Sequence, residues 1–421
     1  MSQPPFDIVV FGASSFVGQI LVRYLAKTYG DDQTKLRWAI AGRNINKLDD
    51  TKKAAKAEAI PVLIADAKNE SQIRTLCDQT RVVVSTVGPY ALYGETLLKT
   101  CCESGTDYCD LTGELHWLLQ MVSKYQELAG KTGARIVNCC GFDSIPSDLG
   151  VYYTLVSAED HFGKVCNEVN MRVTKLRGKF SGGTYASMFN AIDELSANPK
   201  LRKALANPYC LCPSDHPFEV IQPHTNEATY DLLTDSWTAP FVMAGLNTRV
   251  VHRSNSQFGN EYGLQFKYDE AVVAGKGPKG RKRASKISFG LKMLGIVGAI
   301  PPLRWLAKKF FIPKPGQGPT PAEQEKGAFV FSFDGFVEGM GSIHCTVTGS
   351  KDPGYGATGE MLGEAAVCLA KDVSKEDKPG GFWTPANIFH DLLIDRLNAN
   401  TCVKFTLDRI DDKRNKPEIS D

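Results

Sequence analysis

An apolar run, Ile8-Val9-Val10-Phe11, passes directly into Gly12-Ala13-Ser14-Ser15-Phe16-Val17-Gly18, and an amphipathic stretch follows. That order predicts a buried strand turning tightly into a helix, which aims backbone N–H groups and the positive end of a helix at a dinucleotide pyrophosphate. Gly12 permits the tight turn and close approach of the phosphates, and Gly18 lets the helix pack close to its strand. The short Gly-x-x-Gly-x-x-Gly form wants glycine at position 15, where this chain carries Ser15, a small residue whose hydroxyl can itself donate to a phosphate oxygen. Residues 12–18 are therefore the candidate phosphate cradle. An α/β domain that binds no nucleotide is the competing reading of such a turn.

The first 150 residues continue in the βαβ manner. Nearly all-apolar strands are expected at Asp7–Phe11, Arg37–Ala41, Pro61–Ala65, Val82–Thr86, Tyr108–Leu111 and Arg135–Asn138. Helical patterns lie between them near Val17–Tyr29, Ile45–Ala57, Ser71–Asp78, Glu95–Glu103 and Leu115–Lys131. Short apolar strands of this kind suit a parallel sheet covered on both faces. The expected fold class is α/β: a Rossmann-type, doubly wound parallel sheet over residues 1–150. A second, α+β domain of mixed or antiparallel sheet is expected over 151–354. Its candidate strands are Val165–Arg177, Arg249–Val251, Glu261–Ala274 and Gly327–Thr348, with a helix at Gly183–Ser196. Residues 355–410 read as C-terminal helices that pack back on the first domain, and the charged tail from Asp411 as frayed.

Several polar residues fall where strands should end. Arg43 follows the second strand, where an NAD-binding domain usually places an acid on the ribose 2′-OH. An arginine there suits a 2′-phosphate, so NADP is favoured over NAD; a solvated arginine opening a helix is the alternative. Asp66 is placed either to accept from an adenine amine or to cap the next helix. Val87, Gly88 and Pro89 should lie under the ribose and nicotinamide, with Tyr90 or Tyr93 presenting a hydroxyl to substrate or simply stacking in the core. Asp110, Gly113 and Glu114 follow the fifth strand; Asp143, Ser144 and Asp148 follow the sixth. Ligands bind beyond the carboxyl ends of such strands. Tyr90, Asp143 and Ser144 are thus the candidate catalytic residues, although loops and N-caps use the same residue types. Phe180-Ser181-Gly182-Gly183-Thr184-Tyr185-Ala186-Ser187 opens a helix with two glycines and several hydroxyls that can hold an anion or a thioester carbonyl, or merely be capped. The seven histidines show neither metal-ligand nor triad spacing, so no metal is expected.

Twelve cysteines without CxxC spacing near histidine read as small core hydrophobes in a reducing compartment. With no basic, apolar leader at the N-terminus, a cytoplasmic location is expected. The net charge of +2 conceals an asymmetry: eleven lysines and arginines and no acid lie between Glu270 and Glu323. Within that basic stretch, residues 275–314 enclose the uncharged run Met293–Leu303, too short to span a bilayer (~20 residues) and followed by arginine and lysines beside Trp305, Phe310 and Phe311. It reads as an interfacial element for an anionic lipid surface, or as a buried hairpin with a solvated basic flank. Nucleic acid is disfavoured, since no recognised binding motif accompanies the charge.

These residues resemble the saccharopine dehydrogenase-like oxidoreductases, and among them the trans-acting enoyl reductase branch. The matching stretches are Phe11-Gly12-Ala13 through Gly18, Ala41-Gly42-Arg43, Val87-Gly88-Pro89-Tyr90 with Tyr93-Gly94, Asp110-Leu111-Thr112-Gly113-Glu114, and Cys140-Gly141-Phe142-Asp143-Ser144-Ile145-Pro146-Ser147-Asp148. They continue through Phe180–Thr184, Asn247-Thr248-Arg249, Pro313-Lys314-Pro315-Gly316 with Gly318-Pro319, and Asp352-Pro353-Gly354-Tyr355. The resemblance implies an NADP-linked reductase of lipid-like α,β-unsaturated acyl thioesters in complex lipid or glycolipid synthesis, acting in trans on chains built by a polyketide synthase. It also implies contact with a membrane or lipid droplet. Two other functions compete. One is a saccharopine-like amino-acid dehydrogenase, for which Arg172, Arg177, Arg249 and Arg253 are the available carboxylate partners. The other is a non-catalytic nucleotide-binding protein on a lipid surface.

Overall fold

The computed structural model describes residues 4–179, 182–310 and 318–414. The N-terminal half alternates as the apolar pattern requires: β1 (Phe6–Phe11), α1 (Phe16–Tyr29), β2 (Trp38–Gly42), α2 (Ile45–Ala55), β3 (Val62–Ile64), α3 (Glu70–Cys77), β4 (Thr80–Ser85), the one-turn α4 (Tyr90–Tyr93), α5 (Glu95–Ser104), β5 (Asp107–Asp110), α6 (Leu115–Thr132) and β6 (Arg135–Val137). Then come α7 (Ile145–Phe162), β7 (Glu168–Arg177), α8 (Gly182–Ala197), α9 (Pro199–Ala206), β8 (Thr229–Asp231), β9 (Ser236–Pro240), α10 (Ala244–Gln257) and β10 (Lys267–Gly275). The chain ends through α11 (Gly277–Ala299), α12 (Pro301–Phe310), α13 (Pro321–Glu325), β11 (Ala328–Val337), β12 (Gly341–Gly349), α14 (Thr358–Lys371), β13 (Gly381–Trp383), α15 (Pro385–Asn400) and β14 (Val403–Asp412).

Two seven-stranded sheets result. The first is wholly parallel, ordered β13-β6-β5-β4-β1-β2-β3, with the strand order reversing between β1 and β4. Inner strands β2, β5 and β6 are buried from end to end, and β1 and β4 nearly so, because helices cover both faces. The second sheet, β14-β12-β11-β7-β10-β9-β8, is mixed: β7 and β10 run parallel and its other neighbours antiparallel. Strict alternation along β11 and β12 buries Phe329, Phe331, Phe333, Ile343, Cys345 and Val347 on one face, against α7.

Three expectations are corrected. Arg249–Val251 lies in a helix, α10, where Leu246, Val250, Val251 and Ser254 recur at helical spacing on the buried side; two adjacent valines are too short a window to decide. Within residues 355–410, read as helices, Gly381–Trp383 forms β13, which adds the seventh strand beside β6. Asp411 is not part of a frayed tail, since it pairs with Ser342 in the β12–β14 ladder. The C-terminal section divides between the layers: α14 lies on α1, β1 and β4, whereas β14 edges the second sheet. Among the described residues no single helix is long and apolar enough to cross a membrane. The pair α11 and α12 passes on length and composition only when joined across a 111° bend.

Candidate active site

The glycine turn closes as a cradle. Gly12 has φ +83°, and a Cβ on it would stand 2.5 Å from Val87 Cγ2. A Cβ on Gly18 would stand 2.3 Å from the Gly12 carbonyl oxygen and 2.8 Å from that of Ala13. Ser15 is the N-cap of α1: its Oγ accepts from Gly18 N–H at 2.9 Å. It also lies 3.0 Å from Thr86 Oγ1, whose own proton faces the Phe11 and Gly12 carbonyls. The Ser15 proton therefore goes to Thr86. The serine builds the turn from within, and the anion-facing groups are the first-turn N–H groups of α1, which have no helical acceptor by position. Phe16 packs edge-on against Tyr355, ring centroids 5.1 Å apart. Ala13 is buried, and Ser14 and Val17 are half-buried in the same turn. These residues fit a dinucleotide: the cradle is held open by two positions that admit no side chain, and Arg43 stands exposed just beyond β2. Asp66 sits just past the end of β3, and its carboxylate accepts from Lys68 N–H at 3.0 Å, a local turn bond.

The floor of the cleft follows β4. Val87 meets the Gly12 turn, and the Gly88–Pro89 peptide is cis. Tyr90 is buried, and its hydroxyl donates to the Ser85 carbonyl at 3.0 Å while Leu111 N–H approaches it at 3.4 Å. Burial and the nearby Asp110 charge push that phenol well above its usual range. The geometry gives this tyrosine a bracing part between β4 and β5. Asp110 is saturated by Tyr108 O–H, Asn138 Nδ2–H and the N–H groups of Thr112 and Cys139, all within 3.1 Å, and burial raises it to about 6. Ser144 is fully buried and donates to Asn247 Oδ1 at 3.0 Å. Asn247 in turn donates to Ser147 and to Glu270, so this hydroxyl serves a network joining α7 to α10 and β10.

Asp143 differs. Its carboxyl is half-buried between two glycines: a Cβ on Gly113 would meet Oδ1 at 3.0 Å, and one on Gly141 would meet Oδ2 at 3.2 Å. Burial pushes it up to about 7, with the charges of Asp110 and Glu114 adding to the rise. A carboxylic acid that stays protonated near neutrality, at the carboxyl edge of β5 and β6, can donate a proton. Glu114 was expected only as part of the rim. Its carboxylate accepts from Tyr90 N–H, Ala91 N–H and Ser187 O–H at 2.7–3.0 Å, thereby tying α8 to the end of β4. Ser187, expected only as one of several hydroxyls at a helix opening, is the partner of Glu114, and the Tyr355–Phe16 contact had no signal in the sequence. Ser181, with Phe180, Phe311 and the Pro313–Gly316 motif, lies outside the described residues.

The four arginines do not converge. Arg172 is paired with Asp231 and Asp269, Arg253 bonds the Leu211 and Phe382 carbonyls and Gln126, Arg249 bonds Thr248 and the Leu205 carbonyl, and Arg177 is exposed at the end of β7. Among the described residues no cluster of histidine, cysteine, aspartate and glutamate could hold a metal ion.

The saccharopine dehydrogenase NADP binding domain matches residues 8–137, the segment that forms the cradle and the first six strands. The trans-acting enoyl reductase of Mycobacterium bovis (strain BCG) is 32% identical over 93% of this chain and 95% of its own length. That of Mycobacterium ulcerans is also 32% identical, over 94% and 96%. Rv2449c of Mycobacterium tuberculosis, which carries the same name provisionally, is 36% identical over 94% and 96%. In three dimensions the chain is similar to apo saccharopine dehydrogenase (L-Glu forming) from Saccharomyces cerevisiae, with a TM-score of 0.51, 14% identity and coverage of 96% and 99%. That likeness concerns the fold. The chain thus belongs to the saccharopine dehydrogenase-like family, in the group that includes the trans-acting enoyl reductases, and is an NAD(P)-dependent oxidoreductase with an NADP-type nucleotide site.

Proposed function

We propose that the protein reduces the C=C bond of a lipid-type α,β-unsaturated acyl thioester, using NADPH in preference to NADH. The observation that carries this reading is near-full-length similarity to trans-acting enoyl reductases. The dispersal of the arginines supports it, because a substrate with several carboxylates would need convergent cations. Arg43 is the residue that would select the 2′-phosphate. Bound in the cradle, NADPH supplies a hydride. Asp143 then gives its proton to the substrate's α-carbon and regains one from solvent. The relatives' name, trans-acting, supports a chain delivered by a separate protein, for which a synthase of polyketide type is the source proposed.

Contact with a lipid surface is part of the same reading. Phe289, Ile296, Trp305 and Phe310 are exposed on α11 and α12, and Lys309 lies 4.9 Å from the Trp305 ring centre. Apolar side chains beside lysines are what an anionic membrane or lipid-droplet surface receives.

The test is oxidation of NADPH, followed by absorbance, with trans-2-enoyl thioesters from short to long chains. Asp143→Asn should lower kcat about 100-fold with nucleotide affinity kept. In the native enzyme the rate should fall as pH rises through about 7, because the acid is then deprotonated. Turnover of lysine with a keto acid, and none of any enoyl thioester, would overturn the reading.

A further inference from the structure

Glu114 precedes α6, where a polar side chain ordinarily turns back to cap its own helix, yet it makes no such bond. Its buried carboxylate reaches sideways instead. Oε1 accepts from Tyr90 N–H at 2.8 Å and from Ser187 O–H at 2.7 Å, and Oε2 accepts from Ala91 N–H at 3.0 Å. A carboxylate with three donors is an anion held in place, and charge-assisted bonds of this kind are the strong ones. One side chain thus joins three segments: the turn after β4, the start of α6, and α8, which follows β7 of the second sheet.

The consequences converge on the cleft. A Cβ on Gly88 would stand 3.7 Å from the Tyr90 ring and 3.9 Å from Ser187 Oγ, so α8 and the Gly88–Pro89 wall are within contact of each other. At its first turn α8 is also bonded to the nucleotide side, Thr184 to Tyr355 at 3.0 Å, and Tyr355 is the ring that meets Phe16. On the far side α8 seats the basic hairpin. A Cβ on Gly298 would meet Ile192 at 2.3 Å, and Arg304 bonds Asp193 at 2.5 Å.

We infer that Glu114 is a positioning residue: through Ser187 it sets α8 over the acyl end of the cleft, and through Tyr90 and Ala91 it fixes the wall against which the nicotinamide lies. The acyl half of this statement rests on the function proposed above; the nucleotide half does not. Proton donation is left to Asp143, because the Glu114 oxygens are occupied as acceptors.

Full-length Ser187→Ala, Glu114→Gln and Glu114→Ala separate the two halves. Ser187→Ala should leave the NADPH Kd within about twofold and raise the acyl KM about tenfold, the worth of one hydrogen bond to a charged group. Amide exchange across 182–197 should quicken with it. Glu114→Gln keeps an acceptor for the amides, so its nucleotide affinity should stay near that of the native protein while the acyl KM rises. Glu114→Ala should in addition weaken NADPH about tenfold, alter the emission of bound NADPH and expose the Tyr90 and Ala91 amides to exchange. The inference is overturned if Ser187→Ala and Glu114→Gln leave KM and α8 exchange at native values. It is equally overturned if nucleotide affinity and thermal midpoint fall together in both variants. Were the native protein to reduce no enoyl thioester, the exchange and NADPH-emission readouts would still decide the case for Glu114, so that failure is distinguishable from failure of the enoyl reductase reading.

Discussion

Replacing Gly18 by alanine should damage nucleotide binding out of proportion to the single methyl added. The new Cβ would lie 2.3 Å from the Gly12 carbonyl oxygen and 2.8 Å from that of Ala13, both backbone atoms of the same turn. Relief requires the turn to move by about 1 Å, at an overpacking cost of ~1–3 kcal/mol. The same movement stretches the 2.9 Å bond by which Ser15 caps α1 through Gly18 N–H, worth about 1 kcal/mol more. The two together give about 2–4 kcal/mol. Drawn from nucleotide affinity, that is a loss of about 30- to 1,000-fold; drawn from stability, it lowers the thermal midpoint. Titration calorimetry with NADPH and thermal melts with and without the nucleotide measure both shares. Gly290→Ala is the control, because that glycine is exposed on α11 with nothing near its Cβ position, and alanine there should gain about 0.5–1 kcal/mol. A Gly18→Ala protein that binds NADPH within threefold of native and melts within about 1 °C of it would refute the cradle argument.

Two further outcomes are expected. Arg43→Gln should weaken NADP about 10- to 100-fold and leave NAD unchanged, as loss of a charge-assisted phosphate contact requires; parallel loss of both dinucleotides would remove Arg43 from the 2′-phosphate. Glu270, buried beneath the Ser144–Asn247 network, is pushed up to about 7. Because its folded value exceeds its unfolded one, it binds a proton more readily when folded. The stability it confers is complete below about pH 4.5 and is lost as pH rises through about 7, at most ~3 kcal/mol in total. Glu270→Gln should therefore flatten the fall of the thermal midpoint between about pH 5 and 8, and an unchanged slope would place that fall elsewhere.

The parallel sheet was legible because its evidence is local: each strand is a short apolar run, each helix an amphipathic stretch, and the Gly12–Gly18 turn joins one to the other. What escaped depends on distance. β13 is three residues long and becomes a strand only beside β6, more than two hundred residues away in the chain. β14 is a charged edge strand whose alternation fades after Phe405. At the site, residue type located the rim but not the work done there. Tyr90, Ser144 and Ser15 each carry a hydroxyl suited to chemistry, and each is engaged with protein groups that composition does not reveal. Asp143 stands out only once Gly113 and Gly141 are seen to make room for its carboxyl. Glu114 needed Ser187, seventy-three residues on, before its orientation had meaning.

The seventh strand has a consequence for synthesis and for engineering. β13 and the almost wholly buried α14 come from the last quarter of the chain, and the Arg135–Asp107 pair is completed by carbonyls of Leu369, Val373 and Ser374. A ribosome that has released only the first 150 residues has made a sheet with one bare edge and one face that α1 and α2 cover only in part. The nucleotide-binding half is therefore not a cassette to be cut out or grafted: its parallel sheet is complete only once β13 and α14 have been made.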